Sequence, residues 1–426
     1  MKYILCLIVV LSSQSINANS SEGTAGSVGT VTINGEVYNQ VSLRPEIPIG
    51  NLGLGLDLYL YFNDDGMYWE SWNFANGAAV YRTIVDKIYY LRWRHPGDNL
   101  YILAGALPSV TLGQGILVNN YSNIMEYPQV RQLGLNLQAN VSGVAIELIH
   151  SNFKSATPGL IGLRGSYPIM SKLNLGVSFV TDLDQNSGLK DRDGDSYPDH
   201  YDAYPEDGTK HQEHLDLYIS VQGDSNGFAA WYVGEGYGNI YDPVGTKKDP
   251  ISAVALDATY ALTEKVILYS QAAMLIGEID TSRTAGSAYN NWLITQPSEG
   301  ITLGWGFVPI GAKAKLGPIN LLAEYRLGSR RFVFNYWDKS YDLNRVSVTA
   351  DQPITRENRL YQYGELHGIY TQADLRVINL VNLGMGYQNM QGEKWDETAK
   401  QYKSGESNQT FLATIGINPK LIPKVG

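Results

Sequence analysis

The stretch from Asn51 to Phe62 reads NLGLGLDLYLYF, and all its even positions are apolar: Leu52, Leu54, Leu56, Leu58, Leu60 and Phe62. The odd positions hold asparagine, glycine, aspartate and tyrosine instead. A helix would scatter the leucines around its whole circumference, whereas a strand places them all on one face. This stretch therefore predicts a β-strand with one apolar face and one polar face.

The same alternation recurs along the chain. It is regular in 133–141, 173–179, 215–222, 381–388 and 411–417. It is less regular in 31–42, 87–95, 143–150, 159–167, 226–234, 252–262, 265–276, 301–316, 319–328 and 359–376. Together these stretches predict roughly 14 to 18 strands, each of about 9–11 residues, the length at which a tilted strand crosses a bilayer. Short turn signals such as Asn140 to Gly143 and Gly317-Pro318 favour sequential hairpins and hence an up-and-down meander.

The composition distinguishes between three all-β architectures. A soluble β-sandwich exposes one face to water, but about 400 mature residues would be very large for one sandwich. A β-solenoid is disfavoured because no self-similar period of 20–50 residues is present. Only 17% of the residues are charged, while Tyr reaches 30 and Gly 44. Polar faces rich in Gly, Asn, Ser, Gln and Tyr suit a lumen, so we expect an all-β fold, a transmembrane antiparallel up-and-down β-barrel over 21–418.

The first twenty residues predict export. Lys2 supplies a positive start, Tyr3 to Leu11 is an apolar run, and Ala18-Asn19-Ser20 offers small residues for cleavage. The apolar run is too short to span a bilayer as a helix. Residues 1–20 are therefore interpreted as a signal peptide for the Sec pathway, and the bacterial outer membrane is the expected location. Cys6 is the only cysteine, so the mature chain has no thiol chemistry.

The end of the chain departs from the expected pattern. Outer-membrane barrels usually finish on an aromatic residue, but Asn418 is followed by a tail, 419–426, that contains none. The tail is either a periplasmic extension, or the sequence stops before the true end of the protein.

Residues 182–210 interrupt the strand rhythm with an acidic insert. Its carboxylates stand at relative positions 1, 3, 5, 9 and 12, the spacing of oxygen ligands in an EF-hand-type calcium loop. Close carboxylates repel one another unless a hard divalent cation holds them. We expect a structural Ca²⁺ site with these ligands, Tyr197 through its carbonyl: Asp191, Asp193, Asp195, Tyr197, Asp199 and Asp202, with Asp207 in a second, partial site.

The insert is not an EF-hand, because Gly194 falls at position 4, position 12 is Asp, and no helical runs flank it. Its pattern resembles the thrombospondin type 3 repeat, matched once over about 17 residues of 426. That resemblance implies calcium binding in a loop of a bacterial outer-membrane protein. The alternative is a solvated acidic loop without an ion. The nearby histidines, including His211 and His214, lack a zinc-binding pattern.

Charged residues on the polar strand faces should point into the lumen, since lipid exposure costs Arg or Lys about 2–4 kcal/mol at mid-membrane. The alternation of inward and outward residues along each strand, which we call strand parity, predicts this placement for nine residues: Asp57, Arg92, Arg94, Glu147, Arg164, Asp216, Asp257, Glu324 and Arg326. In an open pore they would set ion selectivity. In a closed barrel they would pair as a structural network, and the pattern leaves both readings open.

Segment 105–130 lacks alternation and either folds into the lumen as a constriction or plug, or lies outside as an ordinary loop. The polar stretches 235–250, 278–299 and 331–358 resemble extracellular loops. We find no nucleophile, phosphate-binding or dinucleotide motif, so no catalytic residue is assigned and the chain is predicted not to be an enzyme. A formal charge of -10 without a basic face argues against nucleic-acid binding.

These observations favour a porin-like barrel that lets small solutes pass through the outer membrane, in contact with its lipid. Its oligomeric state is not predicted. A second possibility is a non-transporting barrel whose surface loops serve adhesion or assembly. A third is a barrel enzyme, such as a phospholipase or protease.

Overall fold

The computed structural model describes residues 25–417 apart from a set of gaps. The gaps are 34–35, 73, 78–79, 81–82, 85–86, 128–129, 196, 211–214, 223–226, 236–247, 280–300, 350–351, 378–380, 397 and 400. The predicted signal peptide (1–20) and tail (419–426) lie outside the described residues, as do His211 and His214.

The described chain is dominated by strands. They are β1 (Ala25–Ile33), β2 (Glu36–Arg44), β3 (Glu46–Ile49), β4 (Leu52–Leu56), β5 (Leu58–Asn63), β6 (Gly66–Met67), β7 (Ile88–Trp93), β8 (Leu100–Gly105), β9 (Gly134–Val141), β10 (Val144–His150), β11 (Ile161–Met170), β12 (Leu173–Asp182), β13 (Ile251–Ala261), β14 (Val266–Ile276), β15 (Glu278–Ile279), β16 (Ile301–Thr302), β17 (Trp305–Leu316), β18 (Ile319–Gly328), β19 (Val346–Thr349), β20 (Gln352–Thr355), β21 (Leu366–Val377), β22 (Val381–Asp396) and β23 (Gln401–Ile417).

Helical elements are short. The α-helices are α1 (Leu215–Gln222), α2 (Phe228–Gly234) and α3 (Tyr341–Asn344), and the 3-10 turns are Trp69–Trp72, Gln185–Gly188 and Asn358–Gln362. Among the described residues, no helix combines the length and apolar character needed to cross a membrane.

Fifteen strands form one antiparallel sheet, in which each strand from β7 onward pairs with the next long strand of the chain. A second sheet, β1-β2-β5-β6, continues it, because β2 and β3 are one strand bent at Pro45, and β4 and β5 are one strand bent at Asp57. The backbone bonds Leu56 N to Pro45 O (2.9 Å) and Asp57 N to Lys87 O (2.8 Å) bridge the bend. Counted in this way, the described residues form a meander of sixteen long strands, within the predicted range.

The two ends of the meander differ. At one end the strands are joined by tight turns, such as Ser142-Gly143 between β9 and β10 and Gly317-Pro318 between β17 and β18. Gly143 and Gly317 have φ of 86° and 62°, a conformation that glycine adopts without steric cost. At the other end lie the long connections, including the acidic insert between β12 and β13. Short turns at one end and long loops at the other are typical of outer-membrane barrels.

Burial alternates along the strands, but the polar face is buried and the apolar face is exposed, the reverse of a soluble sheet. On β11 to β13 the large apolar residues are exposed, Val177 by 58% and Leu256 by 61%. The charged residues between them are buried, with Arg164 exposed by only 7% and Asp257 by 8%. Soluble monomers rarely expose apolar patches larger than a few hundred Å². The polar face is therefore the interior of the curved sheet, and the apolar face is its lipid surface. This is the arrangement of the transmembrane β-barrel expected from the sequence.

Three predictions about strands were wrong in detail. Residues 215–222 and 226–234 were expected to be strands, but the structure has helices α1 and α2 there. Both stretches lie in the long connection between β12 and β13, so no neighbouring strand completes their hydrogen bonds and local bonding prevails. The strand expected at 31–42 is instead a hairpin of β1 and β2.

Candidate functional site

Residues 105–127, which we call the inner segment, run through the interior of the curved sheet. Gln114 donates to Thr259 Oγ1 on β13 (3.1 Å) and accepts from Lys313 Nζ on β17 (2.8 Å). The amide of Ile116 donates to Gln271 Oε1 on β14 (3.2 Å). These contacts join the inner segment to the buried face of the sheet, and the role of 105–130 as a constriction or plug stays a prediction.

A second connection, between β18 and β21, folds inward onto the inner segment. The amide of Trp337 donates to Leu117 O (3.0 Å), and the amide of Asn119 donates to Trp337 O (3.1 Å). Trp337 and Tyr341 are fully buried. The prediction that 331–358 forms an extracellular loop was therefore wrong, because its aromatic residues fill the lumen instead of facing solvent.

The base of the acidic insert completes this packing. Asp182 accepts from Tyr341 Oη (2.9 Å) and pairs with Arg345 (3.2 Å), while Gln185 accepts from Tyr336 Oη (2.8 Å). Gln185 also donates to Glu357 Oε2 across 3.2 Å. Burial, reinforced by the charge of Asp249, raises the pKa of Glu357 to about 9, so this carboxyl is protonated at neutral pH.

One side of the lumen is consequently filled. Leu107, Val118, Tyr121, Tyr336 and Trp337 are all fully buried and pack in one apolar cluster with wall residues of β8 to β17 and with Trp395 of β22. Such a cluster is close-packed and leaves no room for a solute.

The other side of the lumen keeps an open polar cavity of about 400 Å³. The open cavity lies toward the last strands of the meander.

The structure brings several of the predicted lumen residues together. Arg164 binds Asp257 through two hydrogen bonds, of 2.8 and 3.0 Å, and also binds Glu147. Arg164, Asp257 and Glu147 lie on β11, β13 and β10, so one guanidinium binds two carboxylates on different strands. Bidentate pairing of this kind is strong and geometrically specific.

Further along the wall, Glu324 and Arg326 pair within β18 at 2.6 Å. Tyr269 Oη donates to Glu324 Oε1 (2.6 Å), and the Arg326 guanidinium lies 3.8 Å from the ring centre of Tyr370. These contacts extend the paired network toward the open cavity.

Near the first strands, Arg92 pairs with Glu46, and Asp57 is fully buried between Ser42 (2.5 Å) and Arg44 (3.3 Å). The sequence analysis missed Glu46, Arg44 and Lys313 as lumen residues. Lys313 follows a register shift between Phe307 and Ile310 on β17, and only beyond that shift do the inward residues carry odd numbers. Glu46 and Arg44 flank Pro45, where the alternation of the bent strand is broken.

Two predicted lumen residues fall outside the regular strands. Arg94 lies one residue beyond the end of β7 with φ of 57°, so strand parity does not apply to it. Asp216 lies on helix α1 instead of a strand, and the parity argument for its placement is withdrawn.

In the acidic insert, the structure brings together Asp191, Asp193 and Asp195, whose carboxylate oxygens lie within 4.8 Å of one another. Asp193 Oδ2 is buried and accepts no hydrogen bond from the described residues. Gly194 has φ of 79°, so the turn between the second and third carboxylates depends on a residue without Cβ.

The remaining predicted ligands are arranged differently. Asp199 Oδ2 accepts from Arg192 Nε (2.7 Å), and Asp207 accepts from the hydroxyl of Thr209 (2.6 Å), which lowers the pKa of Asp207. Asp202 is mostly buried, and its Oδ1 accepts the amide of Tyr204 (2.7 Å). Tyr197 donates its amide to Asp195 Oδ1 (2.8 Å). The group brought close together is therefore the first three aspartates.

No protein-family model matches the chain, and no curated protein matches its sequence. Solved structures do resemble it over 92% of its length. OmpT, an outer membrane protein of Vibrio cholerae, is 8% identical, with 95% of that chain covered and a TM-score of 0.33. OpdL of Pseudomonas aeruginosa is 11% identical, with 84% covered and a TM-score of 0.36.

The outer membrane channel DcaP of Acinetobacter baumannii is 8% identical, with 92% of that chain covered and a TM-score of 0.34. Likenesses at this level carry no functional argument. The argument for function rests on the strands, the lumen and the loops described above.

Proposed function

We propose that this chain is a porin-like channel of the bacterial outer membrane that passes small hydrophilic solutes. The observation that carries the proposal is the polar cavity of about 400 Å³ left beside the inner segment, inside a sheet whose outer face is apolar. A wall of this kind sits in lipid on one side and holds water on the other. The inner segment narrows the passage and so limits the size of the solute.

The paired charges of the wall form a structural network. Each carboxylate of the Arg164 and Arg326 groups has a guanidinium partner at hydrogen-bond distance. Pairing of this kind is expected of a closed barrel, so the cavity alone carries the proposal of a passage. The prediction that the chain is not an enzyme stays a prediction.

Conductance of the purified full-length protein in planar lipid bilayers tests the channel. We expect discrete current steps in KCl, with a unit conductance reduced by the inner segment. A matched variant pair, Leu117→Ser and Leu163→Ser, separates the two faces. The buried Leu117 belongs to the inner segment, so its loss should change the conductance, whereas Leu163 on the outer face should not affect it. A flat trace at all voltages would refute the proposal.

A second function is favoured by the packed half of the lumen, where Trp337 and Tyr341 are fully buried. If the filling extends across the barrel, the chain is a non-transporting barrel whose surface loops serve adhesion or assembly. The same bilayer experiment decides between the two, since only a channel conducts.

We further propose that the acidic insert binds Ca²⁺ as a structural ion. Three facing carboxylates and the buried Asp193 Oδ2 support this, because a hard cation prefers oxygen ligands and relieves their repulsion. When bound, Ca²⁺ would supply positive charge that orders the loop, with Asp191, Asp193 and Asp195 as its first ligands.

Protease protection of 182–210 tests the calcium proposal. Added Ca²⁺ should slow cleavage of the insert, and a chelator should restore it. Asp193→Asn should remove the protection, while Asp65→Asn, in an exposed loop outside the insert, should leave it intact. Cleavage that is the same with Ca²⁺ and with EGTA would overturn the proposal.

A further inference from the structure

Amides are the most frequent polar side chains lining the open cavity. Five are present: Asn119, Asn120, Asn320, Gln372 and Asn382. An amide side chain both donates and accepts hydrogen bonds, as does a hydroxyl group such as that of Thr414 in the same wall. Four apolar residues, Leu375, Leu383, Met385 and Leu412, complete the lining together with charged and aromatic groups. The cavity therefore offers both donors and acceptors beside apolar surface.

The charges of the cavity lining cancel. Its four charged residues are two carboxylates, Asp338 and Asp374, and two cations, Lys339 and Arg376. Asp338 is bound by Arg356 at 2.9 Å, and Asp374 accepts from Gln372 Nε2 at 2.9 Å. A charged solute would lose hydration here without meeting an excess of opposite charge.

On β21, three inward residues two positions apart form a continuous row of polar groups. Tyr370 Oη donates to Gln372 Oε1 (3.3 Å), and Gln372 in turn donates to Asp374. A solute with many hydroxyl groups can exchange one partner for the next along this row without leaving a polar group unpaired.

We propose that the preferred solutes are neutral polyhydroxylated molecules, of mono- to disaccharide size, and that the amide-lined cavity is their binding site. The inference rests on the proposed channel function and adds the chemical class of the solute. The cavity volume of about 400 Å³ lies in the range of known small-molecule sites, about 300–1,000 Å³. Hydrogen-bond donors and acceptors in the wall, and not a net field, would then set the selectivity.

The test measures how sugars interrupt the ion current of the reconstituted full-length protein in KCl. Maltose is the neutral probe, and maltobionate, of similar size with a carboxylate, is the charged one. We expect maltose to block transiently and to bind more tightly than maltobionate. Gln372→Leu should weaken maltose binding about fivefold, the effect of one lost hydrogen bond of about 1 kcal/mol. Gln391→Leu, exposed on β22 outside the cavity lining, should not change it.

The outcomes separate the two proposals. Conduction of KCl with no block by maltose, or with a tighter block by maltobionate, overturns the saccharide inference and leaves the channel standing. Equal maltose binding by wild type and Gln372→Leu also overturns it. If the variant fails to insert, the comparison of the two probes on the wild type still decides. Absence of any conductance overturns both proposals.

Discussion

Tyr121 donates its phenol hydrogen to Asp342 Oδ2 across 2.7 Å and thereby joins two segments of the chain that are 221 residues apart. Tyr121 belongs to the inner segment, and Asp342 lies on helix α3 of the connection between β18 and β21. Burial raises the pKa of the Asp342 carboxyl. The inner segment is therefore held both by apolar packing and by a buried hydrogen bond.

Removal of this phenol should loosen the inner segment. Tyr121→Phe removes one hydrogen-bond donor from the buried Asp342 carboxyl, which keeps Gln132 and Arg345 nearby, and such a loss costs about 1–3 kcal/mol. We expect the free energy of unfolding in urea to fall by that amount and the open-channel current to become noisier. Tyr363→Phe removes a phenol from an exposed residue and should change neither quantity. A Tyr121→Phe variant with unchanged unfolding free energy and unchanged current noise would contradict this role of the hydrogen bond.

The Arg164 group should stabilise the wall beside the inner segment. Arg164→Gln leaves Glu147 and Asp257 without their cation, and loss of one partner of a buried ion pair costs about 3–5 kcal/mol, so the free energy of unfolding in urea should fall by that order. Arg192→Gln removes a charge of the same sign from the exposed acidic insert, serves as the control and should leave the free energy of unfolding unchanged. Equal unfolding free energies of Arg164→Gln and wild type would contradict a structural role of the pairing.

Glu357 should make stability depend on pH. Its folded pKa of about 9 lies above its ordinary value of 4.5, so the folded state binds more protons between these values. Stability from this group is therefore fully present below pH 4.5 and is lost as the pH rises toward 9. In denaturation curves at pH 5, 7 and 9, Glu357→Gln should show a smaller decline than wild type. An unchanged slope would mean that Glu357 is not the responsible group.

The first and last strands should pair. Sixteen strands place β1 and β23 antiparallel, and each has one partner among the described residues. Thr30→Cys, combined in turn with Cys at Thr410, Leu412 or Thr414, should give one disulfide-linked pair, since a disulfide requires Cα atoms about 4.4–6.8 Å apart. Thr30→Cys with Cys at Thr259 is the negative control. Cys6, in the predicted signal peptide, is the only native cysteine. If none of the three combinations forms a cross-link, the two edge strands do not pair at these positions.

The wall of the barrel could be predicted from sequence because lipid and lumen impose a strict period of two on each strand. Leu163, Arg164 and Asp257 lie on the faces that parity assigned to them. The filling of the lumen could not be predicted this way. Trp337 and Tyr341 sit in a polar, non-periodic connection, and only long-range contacts decide whether such a connection turns inward. The placement of Asp199, Asp202 and Asp207 depends on the same kind of contact.

The open cavity lies beside β18 and β21 to β23, whereas most wall residues of the apolar cluster lie on β8 to β17. Altering the volume of the clustered residues disturbs folding, because the cluster is close-packed. The amides of the cavity wall, Asn320, Gln372 and Asn382, are not members of this cluster. Substitutions of these amides should therefore change the interior surface at a lower structural cost than substitutions in the cluster.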